Sequence, residues 1–143
     1  MFGSFFNKPT QNHTPSDPES PLIVIVDKLE NAQSPVFIAL YTPSNKFGHD
    51  RDIFYAEIVQ PQNEKKVQLT IQGIPYGTYA IGAFQDLNGS RILDKNFLGI
   101  PTKPYGFSNN VKPRFGPPTF HECKFVYNNE NRWIHIRLIR GLG

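Results

Sequence analysis

Tyr105-Gly-Phe-Ser-Asn-Asn110 sets two aromatic rings beside two side-chain amides, an arrangement suited to holding a sugar or a peptide. The same residues have a structural use, and that is the expectation adopted. Tyr105 and Phe107 fold back over the end of the domain, while Asn109 and Asn110 satisfy backbone groups of the loop. Groups for nucleophilic or acid–base chemistry are few. Ser108 lacks the flanking glycines of a nucleophile elbow, His121 and His135 fall in strand-like runs, and His13 and His49 fall in polar stretches. There is no His-x-x-x-His, no paired cysteines for zinc and no glycine loop for phosphate. Cys123 lies two residues from His121, which in a strand puts both on one face without orienting either. Its alternation with Phe125 and Tyr127 points to a buried, inert thiol. No enzymatic activity is expected.

The elements that carry these residues read as short strands. Apolar residues make up 38% of the chain, and its 13 Pro, 11 Gly, 12 Phe and 6 Tyr suit a β protein rich in turns. Seven runs have strand character: 22–26, 35–41, 53–59, 65–71, 76–84, 119–127 and 132–139. The last has the clearest period of two, with Ile134, Ile136 and Leu138 on one face and Trp133, His135 and Arg137 on the other. Gly82 in the fifth permits close backbone approach. The expected fold is a single all-β, seven-stranded antiparallel sandwich of Ig-like or transthyretin-like type over residues 21–140. A segment at 85–118 shows no strand pattern, and loops of that length tend to be functional. Residues 1–20 form a proline-containing tail whose apolar groups are Phe2, Phe5 and Phe6, and these are expected to dock on a partner.

Charge divides unevenly. Residues 1–90 carry six Lys/Arg against nine Asp/Glu, and residues 91–143 carry nine against three. The basic half can steer towards anionic partners, but its charges are spread and no nucleic-acid-binding motif accompanies them. No stretch reaches the roughly 18 apolar residues that span a bilayer. A single cysteine excludes an internal disulfide, which fits a reducing compartment or an envelope protein that does without disulfides.

Gly77-Thr-Tyr-Ala80, Asp86-Leu-Asn-Gly-Ser-Arg-Ile-Leu-Asp94, Asn96-Phe-Leu-Gly-Ile-Pro101, Tyr105-Gly-Phe-Ser-Asn-Asn110 and Phe115-Gly-Pro-Pro-Thr-Phe120 follow one another in order. This series resembles the bacterial family catalogued as domain of unknown function 2141, over residues 22–139. The resemblance implies an exported bacterial β-sandwich with no assigned activity. Against export, Met1-Phe-Gly-Ser-Phe-Phe-Asn-Lys-Pro9 has neither the basic stretch nor the apolar core of an export signal, so the compartment stays open. The resemblance also implies an acidic loop like a calcium loop, whose oxygen ligands here are Asp86, Asn88, Ser90 and Asp94. Arg91 stands where such loops carry glycine, and Phe97 where they carry glutamate. The alternative is that Asp86 and Asp94 cap turns while Arg91 pairs with one of them. No cofactor is expected, with calcium as that alternative's rival.

These features define two roles. The first is a non-catalytic protein-interaction module, an accessory subunit of a larger envelope-associated assembly. Its contact surfaces are the tail and the loop residues Tyr105, Phe107, Asn109, Asn110, Arg114 and Phe115. The second is a small-ligand or calcium-dependent carbohydrate-binding domain, which a concave aromatic pocket at the loop would favour.

Overall fold

The computed structural model describes residues 20–43, 47–48, 52–93, 101–114 and 116–141. Among the described residues eight strands form two sheets. One is three-stranded in the order β4-β1-β8, from Leu22–Asp27 (β1), Lys66–Ile71 (β4) and Trp133–Arg137 (β8). The other runs β3-β2-β5-β6, from Val36–Tyr41 (β2), Tyr55–Val59 (β3), Gly77–Gln85 (β5) and Tyr105–Phe107 (β6), with Phe125–Tyr127 (β7) paired to β5. All pairings are antiparallel except β1 with β8, where Val24 lies opposite Ile134. The all-β, two-sheet architecture is the expected one, with an eighth strand and one parallel pair added.

Alternation explains which face each strand buries. In β4, Val67, Leu69 and Ile71 are buried and the residues between them exposed. In β8, Ile136 is fully buried, and Leu138 just beyond the strand is 5% exposed, whereas Trp133 is 55% exposed. Leu22, Val24 and Val26 of β1 join these to meet Val36, Ile38, Leu40 and Ile81 from the facing sheet in one core. Every residue of β2 is buried, because its second face is also covered. There Phe37, Ala39, Tyr41 and Ala56 form a separate apolar cluster with Phe47, Ile53, Phe84 and Phe120.

Two expectations are corrected. The run 119–127 is not one strand. Thr119 accepts a hydrogen bond from the Glu122 amide, and the Glu122 carboxylate accepts from the Thr119 amide at 2.8 Å. This capping box winds Phe120–Cys123 into a helical turn (α1), and only Phe125–Tyr127 is extended. His121 is exposed while Cys123 is buried, so the two do not share a face. The segment 85–118 is not strandless either. It holds β6, followed by a tight 3-10 turn at Ser108–Asn110 in which Asn109 adopts a left-handed backbone (φ 65°).

The short strands β6 and β7 pair with opposite ends of β5, Gly82 opposite Phe107 and Tyr79 opposite Phe125. Ser108 bridges the interval. Its hydroxyl accepts from the Ile81 amide at 2.9 Å and donates to the Cys123 carbonyl at 2.6 Å. Asn109 adds bonds from its amide to the carbonyls of Glu122 and Lys124. The sheets also meet at β6, where Tyr105 and Ile139 exchange backbone hydrogen bonds of 2.9 and 2.8 Å. Gly106 makes that approach possible, since a Cβ there would lie 2.7 Å from Ile136 Cγ2.

Candidate functional site

The outer face of the larger sheet is built from alternate residues of β2, β5 and β6. Cross-strand register lines Phe37 up with Phe84 and Tyr105, and the next row on the same face is Ala56, Ala39, Gly82 and Phe107. A row of three small side chains thus lies beside a row of aromatic ones. The result is a trough with a cavity of about 270 Å³. Phe37 and Phe84 pack at 4.9 Å between ring centroids along one side. On the other, Phe47 stands edge-on to Tyr41 at 5.0 Å and to Phe120 at 6.0 Å, with Phe107 at 6.1 Å. Arg91, Ile92 and Leu93 complete the lining, and Ile92 is 55% exposed. Among the described lining residues only Tyr41 and Arg91 carry polar side-chain atoms, so the site suits an apolar group with at most one charged or hydrogen-bonding end.

The wall that carries Arg91, Ile92 and Leu93 is held by a buried ion pair. Lys103 Nζ lies 2.6 Å from Asp86 Oδ1, with both side chains 3% exposed or less. The ammonium also donates to Ser90 Oγ at 2.6 Å and to the Ile92 carbonyl at 2.5 Å. Asp86 Oδ2 accepts from the Arg91 amide at 3.0 Å, and Asn88 Oδ1 accepts from the Ser90 amide at 3.0 Å. Lys103, not the Arg91 guanidinium, is therefore the cation paired with Asp86. Lys103 Nζ also sits 5.5 Å over the Phe84 ring, tying this wall to the trough.

The residues singled out in the sequence are distributed differently from a single patch. Tyr105 and Phe107 touch, at 5.9 Å between centroids, but only Phe107 lines the trough. Tyr105 is 1% exposed, its hydroxyl donates to the Gly141 carbonyl, and burial pushes its pKa up. Asn109 and Asn110 satisfy backbone groups, Asn110 by bonding the His135 carbonyl and the Arg137 amide. Arg114 lies in a separate open groove with Lys112, Pro117 and Glu122. Asp86, Asn88 and Ser90 share one loop, whereas Asp94, Phe115, Phe2, Phe5 and Phe6 lie outside the described residues. Among the described residues no group of three His, Cys, Asp or Glu is placed to hold a metal ion, and no helix is long and apolar enough to cross a membrane.

Reading the sequence missed Phe37, Ala39, Tyr41, Phe47 and Phe84. A signal existed in β2 and β5, where Phe37-x-Ala39-x-Tyr41 faces Phe84-x-Gly82-x-Ala80, a large–small pattern on a face that a simple sandwich would expose. Gly82 opens the floor of the trough and does not serve a close backbone approach. A Cβ there would meet only the Phe107 ring, at an ordinary 3.7 Å.

Residues 24–135 match the family described as "Uncharacterized protein conserved in bacteria (DUF2141)". No curated protein and no solved structure matches the chain. The order of motifs from Gly77 to Phe120 and the match over most of the sequence agree: the chain belongs to the DUF2141 family of bacterial proteins.

Proposed function

We propose that this chain is a non-catalytic binding domain whose site is the aromatic trough, and that its ligand is a small molecule with a flat apolar ring and a negative charge. The observation that supports this reading is the cavity of about 270 Å³, lined by aromatic side chains and flanked by one cation, Arg91. Rings of a ligand stack against Phe37, Phe84 and Phe107, and its anionic group reaches the guanidinium. A sugar fits less well, because its hydroxyls need several polar side chains and the described lining offers two.

Phenylacetate is the simplest probe of that chemistry. At roughly 0.4 kcal/mol for each of its heavy atoms, about ten, it binds with a Kd of about 1 mM. Amide NMR titration should move Ala39, Gly82, Phe84 and Arg91, with weaker shifts for neutral phenylethanol and none in Gly82→Val, whose side chain fills the floor. Shifts with a methyl glycoside alone would favour carbohydrate binding. The absence of shifts with any probe at tens of millimolar would remove the small-ligand reading.

The protein-interaction reading has its own support in an exposed aromatic surface away from the trough. Trp133 is 55% exposed with the Arg132 guanidinium 5.9 Å over its ring, and Trp and Arg are favoured contact residues in protein interfaces. Under this reading the partner is another protein subunit, and Trp133→Ser weakens its binding without destabilising the fold.

A further inference from the structure

The loop after β5 has the layout of a cation loop. Asp86, Ser90 and the Ile92 carbonyl stand at positions 1, 5 and 7, the places from which a calcium loop supplies oxygens. Arg91, at position 6, takes the left-handed backbone (φ 68°) that the sharp turn demands and for which glycine is the usual choice. Yet these three oxygens already surround a charge. Lys103 Nζ is 2.6 Å from Asp86 Oδ1, 2.6 Å from Ser90 Oγ and 2.5 Å from the Ile92 oxygen. Calcium binds oxygens at about 2.3–2.6 Å, so an ion on the same three ligands and the ammonium exclude each other. The residues do not fit a loop that holds calcium in this chain.

We propose that the Lys103 ammonium is the resident cation of this loop, standing in for a divalent ion that the same ligand geometry accepts once the lysine is removed. An ammonium has three donors and no acceptor, which suits the convergent oxygens of Asp86, Ser90 and Ile92. It also supplies the opposite charge that a carboxylate only 3% exposed requires. The lysine comes from 17 positions along the chain, so the contact closes the loop upon itself, as a shared ion would. The wall bearing Arg91, Ile92 and Leu93 is then set without any dependence on the supply of calcium. This holds whatever the trough binds.

The test uses the full chain and two variants, with thermal unfolding in millimolar calcium and in EDTA. Wild type should melt at the same temperature in both. Lys103→Met, which keeps most of the stem and removes the ammonium, should melt lower in EDTA and gain several degrees in calcium. Terbium should give tyrosine-sensitised luminescence at one site in Lys103→Met and none in wild type, and Asp86→Ala combined with Lys103→Met should abolish it. If Lys103→Met fails to fold in EDTA, recovery of folded protein by calcium supports the proposal, and failure to recover overturns it. Three other results also overturn it: a calcium-dependent rise in wild type, a Lys103→Met protein as stable as wild type in EDTA, or a destabilised Lys103→Met that ignores both calcium and terbium.

Discussion

Replacing Gly106 by alanine adds one methyl group at a point of close approach between the two sheets. Neither Gly106 nor Gly82 has a left-handed backbone, so alanine is conformationally acceptable at both and only packing separates them. At Gly106 the new Cβ would lie 2.7 Å from Ile136 Cγ2, 3.1 Å from the Arg137 carbonyl oxygen and 3.3 Å from Leu138 Cδ2. Ile136 is fully buried in the main core and Arg137 O is backbone, so nothing nearby yields cheaply. Overpacking of this kind costs about 1–3 kcal/mol. At Gly82 the nearest atoms are Phe107 ring carbons at 3.7 Å, an ordinary contact. There the loss of unfolded-state freedom should stabilise by about 0.4–1 kcal/mol. Urea unfolding followed by circular dichroism measures both. Gly106→Ala should lose stability with an unchanged m-value, equivalent to roughly 4–12 °C in Tm for a domain of this size. Gly82→Ala should equal or exceed wild type. Equal stabilities for Gly106→Ala and wild type would refute the close approach of β6 to β8, and a destabilised Gly82→Ala would refute the open floor of the trough.

Three further outcomes follow from the same packing. Ser108→Ala leaves the Ile81 amide and the Cys123 carbonyl without their side-chain partner, and should cost about 1–3 kcal/mol by urea unfolding. Ile136→Ala should cost about 2–5 kcal/mol, while Trp133→Ser on the opposite face of β8 stays within about 0.5 kcal/mol of wild type, a contrast that inverts if the register is off by one residue. Burial, helped by the Glu122 charge, pushes the Cys123 thiol from 9.0 up to about 12, and burial pushes Tyr127 from 10.0 to about 12. Both stay neutral in the folded chain at pH values where the unfolded chain ionises. Their contribution is complete below about pH 8 and falls as pH rises from about 9 to 12, with alkylation of Cys123 at pH 8 seen only on unfolding.

What the sequence disclosed depended on the range of the interaction. The alternation in β8 follows from the pleat alone, and of the face read from Ile134, Ile136 and Leu138 the last two are buried and Ile134 is half-buried against the same core. The helical turn α1 was legible too, in Thr119-Phe-His-Glu122, but Cys123, Phe125 and Tyr127 alternate as a strand would and masked it. Three residues cannot display a period, so β6 left no trace. The trough depends on Ala39 lying opposite Gly82 and Gly82 opposite Phe107, a register that no single strand encodes. Lys103 was hidden for the same reason. Its partner is 17 positions away, and a lone lysine between Thr102 and Pro104 has no local pattern.

Ser108 and Asn109 stitch β5 to the residues around Cys123, so the chain departs from the sheet and rejoins it at nearly the same point. The described residues of 111–118 therefore carry no pairing register of their own between β6 and β7. The length of that excursion is decoupled from the architecture on both sides. A foreign peptide grafted between Lys112 and Pro117 would change neither strand, because the hydroxyl and the amide fix the two ends in place of a continuous ladder. The fold thus contains a port, a position where this chain can accept a longer surface segment while the trough and the cores on either side of the larger sheet keep their form.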